Sequence, residues 1–164
     1  MKFKPVPEPP ADLETVVRTA RAVPTQAEAV DDCCAHLLAE TRLTDRDAAA
    51  TWLVFLRALE VVTEEPAGYR RLEADPTVDP AAWRRSFRER IYGAEAVLET
   101  LADSDDPLSA AAVADAVRRD SSARARAGRT DDREGRIERL LEWAVLLGVA
   151  DRSPEGYRYV TTAE

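Results

Sequence analysis

The sequence predicts a mainly helical protein in which one structural unit, helices followed by a β-hairpin, occurs twice. Of the 164 residues, 45% are apolar and only 6% aromatic, and Ala and Leu supply most of the apolar bulk, as in close-packed helices. Apolar residues recur every three or four positions over long stretches, which is the spacing of a helix face. A Pro-x-Gly-Tyr-Arg segment occurs at 66–70 and again at 154–158, and each lies between short β-favouring runs that predict a hairpin.

The chain begins with a segment rich in proline. Four of the residues from 1 to 10 are prolines, which lack a backbone donor and favour extended structure over helix. We therefore predict a flexible arm over residues 1–10.

The first unit is predicted to span residues 11–76. Its first helix follows Asp12 and ends before Pro24, and its second begins at a capping box made by Thr25 and Glu28.

A third helix follows in the first unit, and Thr44 is its predicted N-cap. A Pro-x-Gly turn then predicts a hairpin over residues 61–72.

The second unit is predicted to span residues 77–164 and to open with one long helix. Asp79 is its expected N-cap and Pro80 its first helical residue. Apolar residues then continue at helical spacing from 83 to 101, so we predict a single helix of about five turns that links both units.

The two halves can be aligned through their shared Pro-x-Gly-Tyr-Arg segments. About twenty residues upstream then align without a gap, and apolar positions coincide. The aligned pairs are Leu53 with Leu141, Leu56 with Ala144, Leu59 with Leu147, and Val61 with Val149. A buried helix that runs directly into a hairpin therefore occurs in both halves, which predicts an architectural duplication.

This pattern resembles the winged helix-turn-helix superfamily, in which three helices precede a two-stranded wing. The resemblance covers residues 93–161 best and implies helices near 94–102, 109–119 and 132–147, with a wing at 149–160. Residues 12–72 follow the pattern less well, because their third helix begins only a few residues after the second. Winged helices bind DNA in many families and proteins in many others, so the fold alone does not choose between these partners.

The resemblance identifies candidate DNA-binding residues in the second unit. In winged helices that bind DNA, the third helix enters the major groove and the wing contacts the backbone or the minor groove. The matching positions are occupied by arginines and one tyrosine: Arg118, Arg119, Arg124, Arg126, Arg129, Arg133, Arg136, Arg139, Tyr157 and Arg158. Arginine can pair with phosphate or read guanine. We expect Arg133, Arg136 and Arg139 on the exposed side of the last helix.

Acidic residues interleaved with these arginines keep a second interpretation open. Asp120, Asp131, Asp132, Glu134 and Glu138 lie in the same stretch and could neutralise the arginines through salt bridges. In the first unit, Arg46 lies between Asp45 and Asp47, an arrangement that should repel phosphate. The first unit is therefore predicted to bind a partner or to dimerise.

Two functional hypotheses follow. In the first, the protein is a transcriptional regulator that binds double-stranded DNA through its second unit, as a homodimer formed by the first unit and the long middle helix. In the alternative, it is a non-enzymatic adaptor that binds another protein.

The overall charge and composition restrict the partners that either hypothesis can include. A net charge of −8 argues against general coating of nucleic acid, so any contact must be local. Lysine occurs only at Lys2 and Lys4 while Asp is plentiful, and this composition resembles proteins of salt-loving archaea, although a GC-rich genome could also replace Lys with Arg. The sequence shows no signal peptide or membrane-spanning run, so a cytoplasmic protein without membrane contact is expected.

No catalytic or cofactor-binding motif is visible in the sequence. His36 is the only histidine, and it has no neighbouring Ser or suitably spaced Asp with which to form a triad or a metal site. Cys33 and Cys34 are adjacent, which suits two buried thiols better than a structural disulfide or a zinc site. We expect neither an enzyme nor a bound cofactor or metal.

Overall fold

The computed structural model of the protein describes residues 3–120 and 130–160, without the side chains of residues 30, 119, 120 and 130–133. Within these residues it contains seven helices and two antiparallel two-stranded sheets. The chain divides into two compact units, unit 1 (Met1–Ile91) and unit 2 (Tyr92–Glu164). None of the described helices combines the length and apolar character needed to cross a membrane.

Unit 1 consists of three helices, a hairpin and a fourth helix. These are α1 (Leu13–Arg21), α2 (Val30–Glu40), α3 (Arg46–Ala58), β1 (Val62–Glu65), β2 (Gly68–Arg71) and α4 (Pro80–Arg90). The hairpin pairs Val62 with Arg71 and Glu65 with Gly68. Fully buried side chains form its core, among them Val16, Leu37, Leu53, Phe55, Leu56 and Phe87.

Unit 2 has the three helices and the wing that the winged-helix resemblance implies. These are α5 (Ala94–Ala102), α6 (Ala110–Asp120), α7 (Thr130–Leu146), β3 (Ala150–Ser153) and β4 (Gly156–Tyr159). Large buried side chains from all three helices meet in its core, including Leu101, Val113, Leu140, Leu141 and Trp143. The predicted fold class, mainly helical with two helix-then-hairpin units, is confirmed.

The duplication extends to individual backbone hydrogen bonds. In unit 1 the Tyr69 N–H donates to the Glu28 carbonyl at 2.9 Å, and the Glu28 N–H donates back at 3.1 Å. In unit 2 Tyr157 and Leu108 make the same reciprocal pair at 2.7 and 2.9 Å. The segment before the second helix is thus fastened to the wing in both units.

The wing glycines are required by this close approach. Gly68 and Gly156 have φ of +133° and +136°, and a Cβ on either would overlap the carbonyl of the segment before the second helix. Only glycine both adopts such a φ at low cost and leaves that space. The repeated Gly-Tyr pair therefore has a structural cause.

The predicted long middle helix is wrong, because the chain breaks between α4 and α5. Ile91 is extended (φ −91°, ψ 123°) and Gly93 is left-handed (φ +86°). The Phe3 N–H donates to the Arg90 carbonyl at 2.7 Å, so the N-terminal segment pairs with the chain where α4 ends. Helix α4 accordingly belongs to unit 1, and the boundary lies between Ile91 and Tyr92 instead of after residue 76.

The predicted flexible arm is also wrong over residues 3–7, where buried side chains hold the segment. Phe3 and Val6 are only 7% and 3% exposed. The Phe3 ring lies 5.2 Å from the guanidinium carbons of both Arg57 and Arg90. The apolar side chains of Phe3 and Val6 therefore anchor this segment on unit 1.

Candidate nucleic-acid interface

Helix α7 is the third helix of unit 2 and corresponds to the helix that enters the major groove in DNA-binding winged helices. Its inner face is buried against the core through Ile137, Leu140, Leu141, Trp143 and Ala144. Its outer face exposes Glu134, Glu138 and Arg139. Gly135 is also on this helix, and a Cβ there would meet no atom within 4 Å. The described outer face therefore mixes one arginine with two carboxylates.

Arg136 does not lie on the exposed side as predicted, because it packs against an aromatic ring. It is half-buried, and its guanidinium carbon lies 5.6 Å from the centroid of the Tyr92 ring. Burial lowers the pKa of Arg136; the nearby Tyr92 raises it, and the positive charge of Arg139 lowers it. Sequence alone gives no signal for the contact with Tyr92, because the helical spacing predicts one continuous helix through this position.

The remaining arginines before and within α7 have different positions. Arg118 is exposed at the end of α6 and forms an ion pair with Asp115, one turn earlier. Arg119 and Arg133 belong to α6 and α7, but their side chains lie outside the described part of the structure. The other three arginines predicted for the connecting segment, Arg124, Arg126 and Arg129, lie outside the described residues.

Tyr157 lies on the wing strand β4 as predicted, but its side chain is buried, which corrects its assignment as a DNA-contacting residue. It is 8% exposed, and its hydroxyl donates to Glu142 Oε2 of α7 at 2.5 Å. Burial raises the pKa of Tyr157, and the hydrogen bond to Glu142 raises it further. Alternate residues of a strand point to opposite faces, and on β4 Tyr157 is buried while the next residue, Arg158, is exposed.

Arg158 follows Tyr157 on β4 and is exposed. Its cross-strand neighbour in the register is Asp151. Within residues 3–120 and 130–160 its side chain makes no hydrogen bond or ion pair, so its guanidinium is available on the wing.

The equivalent surface of unit 1 carries arginines that are already paired. Arg46 of α3 pairs with Asp31, and Arg57 pairs with Glu64 at 2.6 Å. Arg70, the counterpart of Arg158 on the wing, pairs with Glu65. These carboxylates neutralise the charge that a phosphate would need.

The two cysteines are buried free thiols, as predicted. Burial raises the pKa of both Cys33 and Cys34, and for Cys33 the nearby Glu28 adds to the effect. His36 is partly exposed and its Nε2 lies 3.5 Å from Glu28 Oε2. The part of the chain that the structure describes holds no group of three or more His, Cys, Asp or Glu side chains arranged to bind a metal.

Unit 1 also contains a cleft of about 230 Å³ beside its wing. The apolar part of its wall comes from Leu59, Val61, Leu72 and Trp83. Its carboxylates come from Glu60, Glu73 and Asp79, and the lining is completed by Pro76, Thr77 and Ala82. Pockets for small molecules usually hold about 300–1,000 Å³, so this cleft is smaller than a typical ligand site.

A family model described as a halobacterial double winged helix domain matches residues 1–164. This description agrees with the two winged-helix units found here and with the compositional resemblance to proteins of salt-loving archaea. No curated protein and no solved structure matches the chain significantly.

Proposed function

The chain belongs to the halobacterial double winged helix family, and on this basis we propose that unit 2 binds double-stranded DNA and that the protein regulates transcription. The observation that carries the proposal is a local reversal of charge. Residues 118–139 contain eight arginines and five acidic residues, whereas the whole chain has a net charge of −8. This basic stretch includes most of the third helix, where a DNA-binding winged helix places its groove contacts.

The wing adds a further basic group to the proposed DNA-binding surface of unit 2. Arg158 is exposed and makes no ion pair among the described residues, whereas its unit 1 counterpart Arg70 is paired with Glu65. A guanidinium on a wing can contact the phosphate backbone while the third helix lies in the groove. Unit 2 therefore offers basic groups at both places where a winged helix contacts DNA.

High salt weakens the attraction between these arginines and phosphate. At about 1 M salt the Debye length is about 3 Å, so attraction between exposed charges and phosphate is heavily screened. A protein working in such a medium needs contacts to base edges or recognition of DNA shape in addition to phosphate contacts. We therefore propose that the arginines of α7 include at least one base contact.

The matched arginines of the two wings test the proposal. Binding of the full chain to a labelled mixed-sequence DNA duplex is measured by fluorescence anisotropy at several KCl concentrations. Arg158→Ala should weaken binding and reduce the slope of log affinity against log salt by about 0.9, the value for one lost phosphate contact. Arg70→Ala is the control and should leave both quantities unchanged. Equal effects of the two substitutions would reject the assignment to unit 2.

The connecting segment provides a larger test. Replacing Arg124, Arg126 and Arg129 together with Ala should reduce the salt slope by about 2–3 if each contacts phosphate. The control replaces Arg42 and Arg46 of unit 1 with Ala. If the triple variant binds as the wild type does, this segment is not part of the interface.

Regulation is a separate claim and needs its own measurement. DNA crosslinked to the protein in cells that express it should be enriched in promoter regions when sequenced. A uniform distribution along the chromosome would contradict a role as regulator while leaving DNA binding intact.

A second candidate function concerns unit 1, which we propose to bind a protein. The observation that favours this is the set of ion pairs on its third helix and wing, where Arg46, Arg57 and Arg70 each pair with a carboxylate. A surface neutralised in this way attracts phosphate poorly but can contact a protein partner. Size-exclusion chromatography with light scattering tests whether that partner is a second copy of the chain.

A further inference from the structure

The cleft of unit 1 lies where a helix follows the wing. Its lining comes from the chain that enters and leaves the wing, from the segment after it, and from the first turn of α4. In unit 2 no helix follows β4 among the described residues. The cleft is therefore a feature that unit 1 adds to the shared winged-helix framework.

The inner wall of the cleft is apolar and buried. Leu59 and Trp83 are 2% and 4% exposed, and Pro76 beside them is buried. Leu72 lies at the outer edge and is 45% exposed, although its backbone N–H donates to the Val61 carbonyl at 3.1 Å. The wing backbone thus holds an exposed leucine next to a buried apolar wall.

The outer part of the cleft is acidic. Glu60, Glu73 and Asp79 are exposed, and the described residues that line the cleft include no lysine, arginine or histidine. Glu60 accepts from Arg90 at 2.6 Å, and Asp79 caps α4 by accepting from the Ala82 N–H at 3.3 Å. Glu73 makes no hydrogen bond or ion pair with any described residue. Its negative charge therefore remains uncompensated.

Arginines on the neighbouring elements do not change this balance. Arg21 pairs with Asp75 at 3.1 Å, and Arg70 pairs with a carboxylate of its own wing. Arg71 Nη1 donates to a backbone carbonyl at the end of α1 at 2.7 Å. The cleft lining also excludes three further arginines of α4, Arg84, Arg85 and Arg88. The cleft accordingly suits a cation that also carries apolar surface.

We propose that this cleft is the docking pocket of unit 1 for one arginine side chain of a partner protein. The methylene stem of that arginine lies against Leu72 and the buried wall, and its guanidinium pairs with Glu73. This inference rests on the proposed protein-binding role of unit 1 and names its contact.

The chemistry of arginine matches the cleft. Arginine side chains bury their stems along apolar surface while the charged group stays near water, and they are enriched among the residues that anchor protein interfaces. The planar guanidinium can bond several carboxylate oxygens at once, which an ammonium group does less well. A volume of about 230 Å³ suits one side chain better than a drug-sized ligand.

The test titrates the isotope-labelled full chain with a blocked arginine, acetyl-arginine methylamide, and follows the N–H signals by NMR. The indole N–H of Trp83 and the backbone N–H groups of Leu72 and Glu73 should shift together and saturate. The expected dissociation constant is on the order of 1 mM, as for a small ligand. The indole signals of Trp52 and Trp143, which do not line the cleft, should stay unchanged.

Two further ligands test the assignment to an arginine of a protein. Acetyl-citrulline methylamide has a similar shape without the charge and should bind about fivefold more weakly. Free L-arginine should also bind more weakly, because its own carboxylate is repelled by the acidic cleft. Equal binding of the citrulline compound would overturn the inference, and tighter binding of free arginine would make the cleft a site for a small metabolite instead.

Two variants test the cleft from the side of the protein. Glu73→Gln should weaken binding of the blocked arginine about threefold through the lost charge, and Leu72→Ser about threefold through lost apolar contact. Both side chains are exposed, and circular dichroism checks that the variants are folded. Glu89→Gln removes another exposed carboxylate of unit 1, outside the cleft lining, and should bind as the wild type does. Unchanged affinity of both cleft variants, or an equal loss in Glu89→Gln, would contradict the proposal.

Failure here is distinguishable from failure of the proposed role of unit 1. If the chain forms a dimer that Arg46→Glu weakens, and blocked arginine does not bind, unit 1 binds protein through its ion-paired surface and only this inference is wrong. If the chain is monomeric and blocked arginine does not bind, both proposals for unit 1 fail.

Discussion

Unit 1 and unit 2 have the same backbone framework and differently charged surfaces. Both fasten the segment before the second helix to the wing through a tyrosine that follows a glycine. They differ most in the connection before the third helix: five residues separate α2 from α3, and nine separate α6 from α7. The third helix itself is also longer in unit 2, with 17 residues in α7 and 13 in α3. The additional chain in unit 2 carries the arginines. The two units thus share these backbone contacts, while the arginine-rich segment before the third helix occurs in unit 2.

The largest expected effects on stability concern the wing glycines, because both units place this glycine against a backbone carbonyl. Gly68→Ala and Gly156→Ala should each reduce the free energy of unfolding by about 2–4 kcal/mol, because a Cβ would strain the backbone and displace a neighbouring carbonyl. Gly68→Ala should cost more, since its Cβ would lie closer to the carbonyl oxygen of Glu28 than that of Gly156 to the oxygen of Leu108. Urea denaturation of each variant measures both.

Gly135→Ala is the matched control. Gly135 lies within α7, where a Cβ meets nothing within 4 Å, so alanine should stabilise the protein by about 0.5–1 kcal/mol through its higher helix propensity. If all three substitutions destabilised alike, close approach to a carbonyl would not be the reason for the wing glycines.

These glycines also explain why the wings could be predicted from sequence. The Pro-x-Gly turn signal depends only on neighbouring residues. It occurs twice, each time at the same distance after a buried helix, so the sequence favoured a hairpin in both halves. The helices and wing that the winged-helix resemblance implies for residues 93–161 lie within about two residues of the observed ones. The start of α6 is signalled locally, because the Ser109 hydroxyl accepts from the Ala112 N–H at 3.1 Å, as a cap should.

The wrong predictions fall where long-range pairing overrides a local signal. Thr25 and Glu28 look like a capping box, but Glu28 pairs with Tyr69 and α2 begins only at Val30. Apolar spacing runs without interruption through Ile91, yet the chain breaks there and pairs with Phe3. Neither contact leaves a trace in nearby sequence.

The candidate site was predictable in composition but not in geometry. The arginine-rich stretch is visible in the sequence, and Arg139 and Arg158 are exposed as expected. Helical spacing alone did not show that Arg136 packs on Tyr92 or that Tyr157 is buried against Glu142. Both outcomes depend on how the third helix packs against other elements.

A smaller effect is expected from the bond between Tyr157 and Glu142, which ties the wing of unit 2 to α7. Tyr157→Phe should reduce the free energy of unfolding by about 1–2 kcal/mol at neutral pH, because a hydrogen bond to a charged group is lost. Chemical denaturation of this variant and of the wild type provides the measurement. If the free energy of unfolding fell as much as it does for Gly156→Ala, the hydroxyl would have to make stabilising contacts besides the hydrogen bond to Glu142.

The same bond sets a dependence on pH. Burial, then Glu142, raises the pKa of Tyr157 in the folded protein, so only the unfolded chain ionises this phenol when pH rises past about 10. Its contribution to stability is therefore complete below that pH and is lost progressively above it. Tyr157→Phe should flatten this alkaline loss, and an unchanged pH profile would contradict the assignment. Tyr69, whose pKa is also raised by burial, gives the unit 1 comparison.

The smallest effects concern the residue that ends the third helix in each unit. Glu60 and Gly148 occupy equivalent left-handed positions, with φ of +66° and +83°. Gly148→Ala should cost about 1 kcal/mol, because a side chain is unfavourable in that conformation. Glu60→Gly removes the same penalty from unit 1 but loses the ion pair with Arg90 at 2.6 Å, so its net gain should be about 0.5 kcal/mol.

Glu60→Gln separates these two contributions, since glutamine keeps the left-handed strain and loses only the charge. It should destabilise the protein by about 0.5 kcal/mol at low salt and by less at high salt, because Glu60 is 61% exposed and its ion pair is screened. Thermal unfolding of the three variants in dilute and in concentrated KCl gives the comparison. If Glu60→Gly were destabilising at both salt concentrations, the Arg90 contact would outweigh the backbone strain, and unit 1 would depend on a charged pair at the position where unit 2 uses glycine.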